Sequence, residues 1–167
     1  MTAAQVELPT RADTERLARS IAGLARSGDA ILLSGPLGAG KSVFARAFLR
    51  ALHDDPALDV PSPTFTLVQM YESPDMAVAH FDLWRLDGPE ALEELGWDDA
   101  RAGIVLVEWP ERLGALAPSG ALHVTLTPVP VESVEDFAAE DAPRIAVVEG
   151  WPDRYPAGRR AGGEGAL

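Results

Sequence analysis

The chain has 167 residues, enough for one domain with a substantial core, and its hydrophobic content of 47% is that of an ordinary globular protein. It contains no cysteine, which excludes disulfides, thiolate metal sites and cysteine nucleophiles. The net charge of -12 disfavours non-specific binding to nucleic acid. No apolar run is long enough to span a bilayer, and the first residues do not resemble a signal peptide. We therefore expect no membrane contact and a cytoplasmic location.

The first third of the chain alternates helical and strand patterns. Residues 14–27 predict a helix with Asp13 or Thr14 as its N-cap, because Asp and Thr side chains can accept hydrogen bonds from the first turn. Residues 30–34 are continuously apolar up to a final serine, which is typical of a buried strand. Residues 43–52 again have helical spacing.

The remainder of the chain predicts further strands and one helix. The predicted elements are a hairpin of residues 65–71 and 76–84, a helix over 89–95, and strands over 104–107, 122–126 and 145–148. Residues 128–142 are predicted to form a surface loop, and the Gly- and Pro-rich residues 151–167 a disordered tail. Together these patterns indicate a single α/β domain over residues 1–150, with a mixed β-sheet flanked by helices.

Residues 35–42, with the sequence GPLGAGKS, match the phosphate-binding pattern G-x-x-x-x-G-K-[ST]. The glycines of this loop, Gly35, Gly38 and Gly40, allow the backbone around Ala39 to turn successive N–H groups toward an anion. An apolar strand precedes the loop and a helix follows it, so the positive end of the helix dipole adds to the same site. The segment therefore predicts a P-loop that binds a nucleotide.

Lys41 is the only lysine of the chain, which otherwise uses arginine for its positive charges. A compact ammonium suits the outer phosphates of a nucleoside triphosphate better than a planar guanidinium does. Ser42, the next residue, offers its hydroxyl to Mg²⁺. The chain contains no asparagine, so the Asn-Lys-x-Asp motif that selects guanine cannot be present. We therefore expect Mg²⁺ and ATP as the bound species.

Two acidic residues follow apolar strands and are candidates for the rest of the site. Glu108 follows the more apolar strand and is favoured as the carboxylate near Mg²⁺, with Asp82 left to orient or deprotonate the attacking water. Which of the two does the proton chemistry stays open, and either could be a structural carboxylate that caps a loop. Thr64 could sense the γ-phosphate from a switch-like loop, and Trp109 is expected either to wall the site or to pack in the core.

Several segments in the right order together resemble the bacterial TsaE (YjeE) ATPases. These segments are GPLGAGKS at 35–42, SPTFTLVQMY at 62–71, HFDLWRL at 80–86, GPEALEELG at 88–96 and VLVEWPERL at 105–113. The resemblance implies a P-loop fold and Mg²⁺–ATP binding with slow hydrolysis. It also implies a role in installing threonylcarbamoyl on the adenosine beside the anticodon of tRNAs that read ANN codons. In that family the ATPase acts on a TsaD–TsaB pair, and TsaD carries out the transfer. The resemblance therefore implies that this chain contacts tRNA only indirectly, through the complex.

The resemblance also implies roles for single positions. Ser42 and Glu108 would hold Mg²⁺, and residues 38–42 would hold the phosphates. Asp82 would be the catalytic carboxylate, and Thr64 would lie in the switch-like segment.

Thr10 or Thr14, near the first helix, would approach the base. The chain departs from the family at three positions: Pro36 stands where an acidic residue is frequent, Ser42 replaces the commoner threonine, and Trp84 replaces a frequent tyrosine. Serine keeps the hydroxyl that the metal needs.

Two other functions fit the P-loop. A small-molecule kinase would need an acceptor pocket and a lid with several arginines. The arginines closest to that description, Arg154, Arg159 and Arg160, fall in the tail predicted to be disordered. A nucleotide-sensing interaction module with negligible turnover is the second alternative.

Overall fold

The structure is a computed structural model that describes residues 3–130 and 141–155. Its strands are β1 (Ala3–Leu8), β2 (Ala30–Ser34), β3 (Val68–Ser73), β4 (Met76–Asp82), β5 (Ile104–Glu108), β6 (Leu122–Pro128) and β7 (Arg144–Glu149). Its helices are α1 (Arg11–Ala22), α2 (Lys41–Leu52) and the short α3 (Trp97–Ala100), with 3-10 segments at Pro89–Leu92 and Pro110–Leu116. None of the helices in this described part is long and apolar enough to cross a membrane.

The strands form one seven-stranded sheet in the order β1-β7-β6-β2-β5-β4-β3. Strands β6, β2, β5 and β4 are parallel, whereas β3, β7 and β1 join through antiparallel pairs. The predicted α/β fold with a mixed sheet is therefore confirmed. Because the four central strands are parallel, their carboxyl ends meet at one edge of the sheet, and the chain after β2 emerges there as the P-loop.

The sheet is covered on both faces, which explains why its central strands are apolar without interruption. In β2, Ile31 and Leu33 point into a cluster shared with α1 and α2, where Phe44 and Phe48 are fully buried. Leu32 points to the opposite face, into a second cluster that includes residues of α3 and of the 3-10 segments. This packing holds the end of β2 and the start of α2 in fixed positions on either side of the P-loop.

The first helix begins earlier than predicted, since Thr10 and not Asp13 or Thr14 is its N-cap. Asp13 occupies the third helical position and accepts hydrogen bonds from the Thr10 backbone N–H at 2.9 Å and from the Thr10 hydroxyl at 2.7 Å. The helix ends at Ala22, with Gly23 as its C-cap, and does not extend to residue 27. Thr14 is an interior residue of the helix and is completely buried.

The hairpin of β3 and β4 is present, but β3 starts at Val68 and not at residue 65 as predicted. The preceding residue, Leu67, has a left-handed backbone with φ of 65°, and its N–H closes a turn onto the Pro63 carbonyl. β4 ends at Asp82, two residues before the predicted boundary. The predicted helix over 89–95 is only a short 3-10 segment.

The late strands β6 and β7 are confirmed, and each is slightly longer than predicted. β1 was not predicted from the sequence, and it pairs with β7 at the edge of the sheet. Residues 131–140, most of the predicted surface loop over 128–142, lie outside the described residues.

Residues 151–155 are packed, so the prediction of a disordered tail from residue 151 is wrong for this stretch, while residues 156–167 lie outside the described part. Trp151 and Tyr155 are buried in the cluster under α1, where their aromatic area outweighs the surrounding Gly and Pro. Arg154 stacks on the Trp151 ring, with its guanidinium carbon 4.0 Å from the ring centroid. It also donates two hydrogen bonds to the Asp29 carboxylate, at 2.7 and 2.9 Å.

This ion pair predicts a pH-dependent contribution to stability. Burial alone would raise the pKa of Asp29, but hydrogen bonds from Arg154 and from the Arg26 backbone outweigh it and hold the pKa below its ordinary value of 3.8. We expect Asp29→Asn to lower the free energy of unfolding at pH 7 by about 1–3 kcal/mol. Because the pKa of Asp29 is depressed in the folded state, this difference should be full above the ordinary aspartate pKa and should vanish as pH falls through the folded value.

Urea unfolding of the wild type and Asp29→Asn at several pH values measures this difference. Asp75→Asn, in the exposed turn between β3 and β4, is the matched control and should change little. A difference for Asp29→Asn that stays constant down to pH 2 would contradict the assigned ion pair.

Candidate nucleotide-binding site

The P-loop connects the end of β2 to the start of α2 and depends on glycine at two positions. Gly35 has φ of 146°, and a Cβ there would lie 2.4 Å from the Leu126 carbonyl oxygen. Gly40 has φ of 100° and is the N-cap of α2. Both backbones lie in the region that side chains disfavour, so these glycines allow the loop to turn back over the sheet edge and aim the helix N-terminus at an anion.

A cavity of about 280 Å³ lies against the P-loop. The cavity is lined by Leu37, Gly38, Gly40, Lys41, Ser42, Val43, Ser62, Thr64, Asp82, Glu108, Trp109 and Arg144. The structure thus brings five of the predicted polar side chains together from four segments that are distant in sequence: Lys41, Ser42, Thr64, Asp82 and Glu108.

The Lys41 side chain is buried and lies between the P-loop and an aromatic ring. Its ammonium donates a hydrogen bond to the Gly35 carbonyl at 2.6 Å and lies 3.4 Å from the centroid of the Trp109 ring. Burial lowers the pKa of Lys41, and the nearby carboxylates of Glu108, Glu111 and Asp82 oppose that effect. Trp109 thus walls the site, the first of the two roles that the sequence left open.

Trp109 has a left-handed backbone, with φ of 58°, directly after β5. Its ring packs against Trp84, with centroids 4.3 Å apart. The strained residue therefore turns an indole toward the cavity, where the ring lies against the Lys41 ammonium.

The two carboxylates end adjacent parallel strands. Asp82 and Glu108 are register partners in β4 and β5, and both are buried. Glu108 accepts a hydrogen bond of 2.7 Å from Nε2 of His80, which is itself 2% exposed. Asp82 accepts one of 3.1 Å from the Trp84 backbone N–H. The two acids are therefore oriented independently, each by its own donor.

Thr64 connects the loop before β3 to this acidic pair. Its hydroxyl donates to the Asp82 carboxylate at 3.3 Å and is 2.7 Å from the Ser62 hydroxyl. A γ-phosphate bound between Lys41 and Asp82 would therefore lie within reach of the loop that carries Thr64.

The remaining predicted residues lie outside the cavity lining. Gly35 and Ala39 belong to the P-loop but do not line the cavity, and Ala39 is fully buried. Thr10 is exposed and engaged in its hydrogen bond to Asp13, while Thr14 is completely buried. The structure therefore gives no support to Thr14 as a base contact, and Thr10 does not line the cavity.

Two polar residues of this region were not among the predicted site residues. Arg144, the first residue of β7, lines the cavity although it lies about a hundred residues along the chain from the P-loop. His80, in β4, holds the Glu108 carboxylate through a hydrogen bond. Both depend on which strands are neighbours, and no local motif reports that.

The described residues contain no group of three or more His, Cys, Asp and Glu side chains that could enclose a metal. A magnesium ion in a P-loop needs fewer protein ligands, because phosphate oxygens and water complete its octahedron. Ser42 and Glu108 provide one hydroxyl and one buried carboxylate at the same cavity. This donor set is hard, oxygen-only and incomplete, which fits Mg²⁺ bound together with a nucleotide.

A second, larger groove of about 430 Å³ lies between α1 and α2 and is lined by Arg19, Arg46 and Arg50 among others. Acidic side chains share this groove, including Glu15, Asp54 and Asp55. It has no glycine loop, and its volume alone does not make it the binding site. The chemistry favours the smaller cavity.

The fold and the P-loop define the chain as a P-loop NTPase-like α/β protein. The family model described as "Threonylcarbamoyl adenosine biosynthesis protein TsaE" matches residues 8–133. The chain therefore belongs to the TsaE family of threonylcarbamoyladenosine biosynthesis proteins. This confirms the resemblance noted from the sequence.

Curated relatives carry the name "tRNA threonylcarbamoyladenosine biosynthesis protein TsaE". One from Aquifex aeolicus is 41% identical over 65% of this chain and 77% of its own length. One from Rickettsia felis is 36% identical over 68% and 67%, and one from Bacillus subtilis is 31% identical over 68% and 71%. The crystal structure of Bacillus subtilis YdiB superposes with a TM-score of 0.69 at 23% identity, covering 93% of this chain and 90% of that one, which supports the fold.

Proposed function

We propose that this chain is a Mg²⁺-dependent ATPase that serves tRNA threonylcarbamoyladenosine biosynthesis by acting on a TsaD–TsaB pair. Family membership supports the pathway. The specificity for tRNAs that read ANN codons, the cytoplasmic location and the indirect contact with tRNA are parts of this proposal. The net charge of -12 agrees with a subunit whose partners, and not the subunit itself, bind the tRNA.

The observation that carries the proposal is the convergence of Lys41, Ser42, Asp82 and Glu108 on one cavity at the carboxyl edge of the sheet. A binding site for a phosphate alone needs the loop and a cation. Two buried carboxylates next to it would repel phosphate, so their presence is better explained by a metal and a reacting water. This arrangement favours hydrolysis over simple anion binding.

Each residue then has a distinct task. Lys41 exchanges the Gly35 carbonyl and the Trp109 ring for phosphate oxygens when ATP enters. The backbone N–H groups of residues 38–42 bind the phosphate chain. Ser42 and Glu108 would hold Mg²⁺, which when bound supplies positive charge against the triphosphate. Asp82 positions the attacking water and accepts its proton.

The apolar side chains at the mouth of the cavity support a protein partner. Leu37, in the P-loop, is 74% exposed, and Phe65, next to Thr64, is 81% exposed. Trp84, which packs against Trp109, is 41% exposed. Large exposed apolar side chains that surround one opening are typical of a surface that another protein covers. Contact there would order the Thr64 loop, which gives a physical route to partner-dependent hydrolysis.

A small-molecule kinase is the alternative enzyme, and one observation argues against it. Arg154, one of the arginines proposed for a lid, is bound to Asp29, which immediately precedes β2. The P-loop lies at the other end of that strand, roughly 17 Å away for five extended residues. Arg154 therefore cannot contact a phosphate in this structure. Arg159 and Arg160 lie outside the described residues.

The experiment that tests the proposal measures phosphate release from labelled ATP with and without TsaD–TsaB, and transfer of the label to small acceptors. We expect slow release from the chain alone and faster release with the pair. Unchanged hydrolysis, with label appearing on an acceptor, would favour the kinase. Nucleotide binding without turnover under either condition would favour the sensing module.

His80 provides a test of the metal assignment. We expect His80→Phe, which removes the hydrogen bond to Glu108, to weaken the Mg²⁺-dependent part of ATP affinity about tenfold to a hundredfold. His80→Gln retains a donor and should recover part of this loss. Calorimetric titration of ATP in Mg²⁺ and in EDTA measures the difference. Equal losses in Mg²⁺ and in EDTA would show that His80 does not act through the metal.

A further inference from the structure

Arg144 is a buried cation in the nucleotide cavity that the proposed mechanism leaves without a task. It is 3% exposed and lines the cavity together with Lys41. Its Nη2 donates to the Gly38 carbonyl at 3.3 Å, so the guanidinium touches the P-loop itself. A guanidinium that lines the cavity and touches the phosphate-binding loop is placed where it can donate charge-assisted hydrogen bonds to a bound anion.

The topology determines which side of the loop Arg144 occupies. β7 runs antiparallel to β6, so its first residue, Arg144, lies opposite Leu8 and Pro128 at the edge where the parallel strands end. In the sheet order, β7 and β6 are on one side of β2, whereas β5 and β4 are on the other. Arg144 and the carboxylates of Asp82 and Glu108 therefore flank the P-loop from opposite sides.

Gly40 leaves space for this arginine. A Cβ on Gly40 would lie 3.0 Å from the guanidinium carbon of Arg144. The glycine thus does more than permit its φ of 100°, because it also lets a planar cation lie against the loop. The cavity lining thus includes two cations, Lys41 and Arg144, and two carboxylates, Asp82 and Glu108.

We propose that Arg144 binds the α-phosphate, which is the phosphate attached directly to the nucleoside. This inference rests on the proposed ATPase function. Cleavage takes place beside Asp82, so the γ-phosphate lies on the β4 and β5 side of the loop. The phosphate chain crosses the loop, and its nucleoside end therefore lies on the β7 side, where Arg144 is. The guanidinium fork would donate to one of the two non-bridging oxygens of this phosphate in a fixed orientation, which the flexible ammonium of a lysine does not provide.

The consequence concerns ADP as much as ATP. A contact with the α-phosphate is present before and after hydrolysis, so it contributes affinity without favouring cleavage. Lys41, by contrast, binds the outer phosphates. We expect Arg144→Gln to weaken ADP and ATP binding by the same factor, about tenfold to a hundredfold. Arg144→Lys should recover part of the loss, because it restores the charge without the fork.

The deciding measurement uses ADP with sulfur in place of one α-phosphate oxygen, as separate Sp and Rp diastereomers. Titrations are done in EDTA so that no metal contributes. Sulfur is a poorer acceptor than oxygen, so the wild type should bind one diastereomer more weakly, and Arg144→Gln should bring the two affinities together. Arg154→Gln, the matched control at the other end of β2, should lose stability but keep the wild-type ratio.

Each outcome has a defined meaning. The inference would be overturned if Arg144→Gln kept the wild-type ratio of affinities for the two diastereomers, even with a lower affinity for both. An arginine that only stabilises the fold would produce that result. A wild type that does not distinguish the diastereomers would overturn it as well. A wild type that binds neither ADP nor ATP would overturn the proposed function itself, and thermal unfolding identifies variants that fail to fold.

Discussion

Lys41→Ala is expected to lose ATP affinity by about a hundredfold, since the triphosphate would lose a charged donor inside a site with little water. Lys41→Arg is expected to recover little of this loss. The guanidinium is larger, and the space between the Gly35 carbonyl and the Trp109 ring fits a compact ammonium. Calorimetric titration with ATP and ADP measures both variants.

The comparison between nucleotides makes this prediction sharper. Because Lys41 reaches the outer phosphates, its replacement should weaken ATP more than ADP. Thermal unfolding without nucleotide provides the control for folding. Wild-type ATP affinity in Lys41→Ala would show that the P-loop has been assigned the wrong ligand.

Asp82→Asn is expected to reduce phosphate release by about a hundredfold to ten-thousandfold, the usual contribution of a positioned acid–base group. ATP affinity should change only a few-fold, because the amide keeps the size of the side chain. Its oxygen can still accept from the Trp84 N–H, and its NH2 group can donate to the Thr64 hydroxyl in place of the present hydrogen bond. The measurement is single-turnover hydrolysis with ATP binding determined in parallel.

Glu111→Gln provides the matched control for Asp82→Asn. Glu111 also acts electrostatically on Lys41, but it is exposed and does not line the cavity. The Glu111→Gln variant should hydrolyse ATP at nearly the wild-type rate. Equal rates for Asp82→Asn and the wild type would move the proton chemistry to Glu108, the alternative that the sequence left open.

The sequence predicted the parts of this molecule that are encoded locally. A strand buried on both faces is apolar at every position, so β2 and β5 could be recognised from their composition. The P-loop could be recognised because glycine, lysine and serine must occupy fixed places in one short segment. The hairpin was predicted for a similar reason, although Leu67 delays its first strand by a left-handed residue.

The features that were missed depend on pairing between distant strands. The contact of Arg144 with the P-loop requires β7 to lie antiparallel to β6, and the His80–Glu108 hydrogen bond requires the register of β4 on β5. Neither pairing leaves a signal in the residues themselves. β1 is a different case, because Ala4, Val6 and Leu8 alternate with exposed residues and show the period of a strand. This alternation is visible in the sequence and would have predicted β1.

The packed residues 151–155 show the limit of composition arguments. Gly and Pro are frequent over residues 151–167 as a whole, which favours disorder. In residues 151–155, however, two aromatic rings and the Arg154–Asp29 ion pair fix the segment against α1 and the start of β2. Composition averages over residues, whereas burial of a single tryptophan or tyrosine can outweigh its neighbours.

The central claim is that Lys41, Ser42, Asp82 and Glu108 form one site for Mg²⁺ and ATP. A crystal structure with Mg²⁺ and a non-hydrolysable ATP analogue tests it most directly. We predict phosphates over residues 38–42 and a metal ion about 2.0–2.1 Å from the Ser42 hydroxyl, with Glu108 beside the metal directly or through water. Nucleotide bound elsewhere, for example in the arginine-lined groove between α1 and α2, with the P-loop empty, would contradict it.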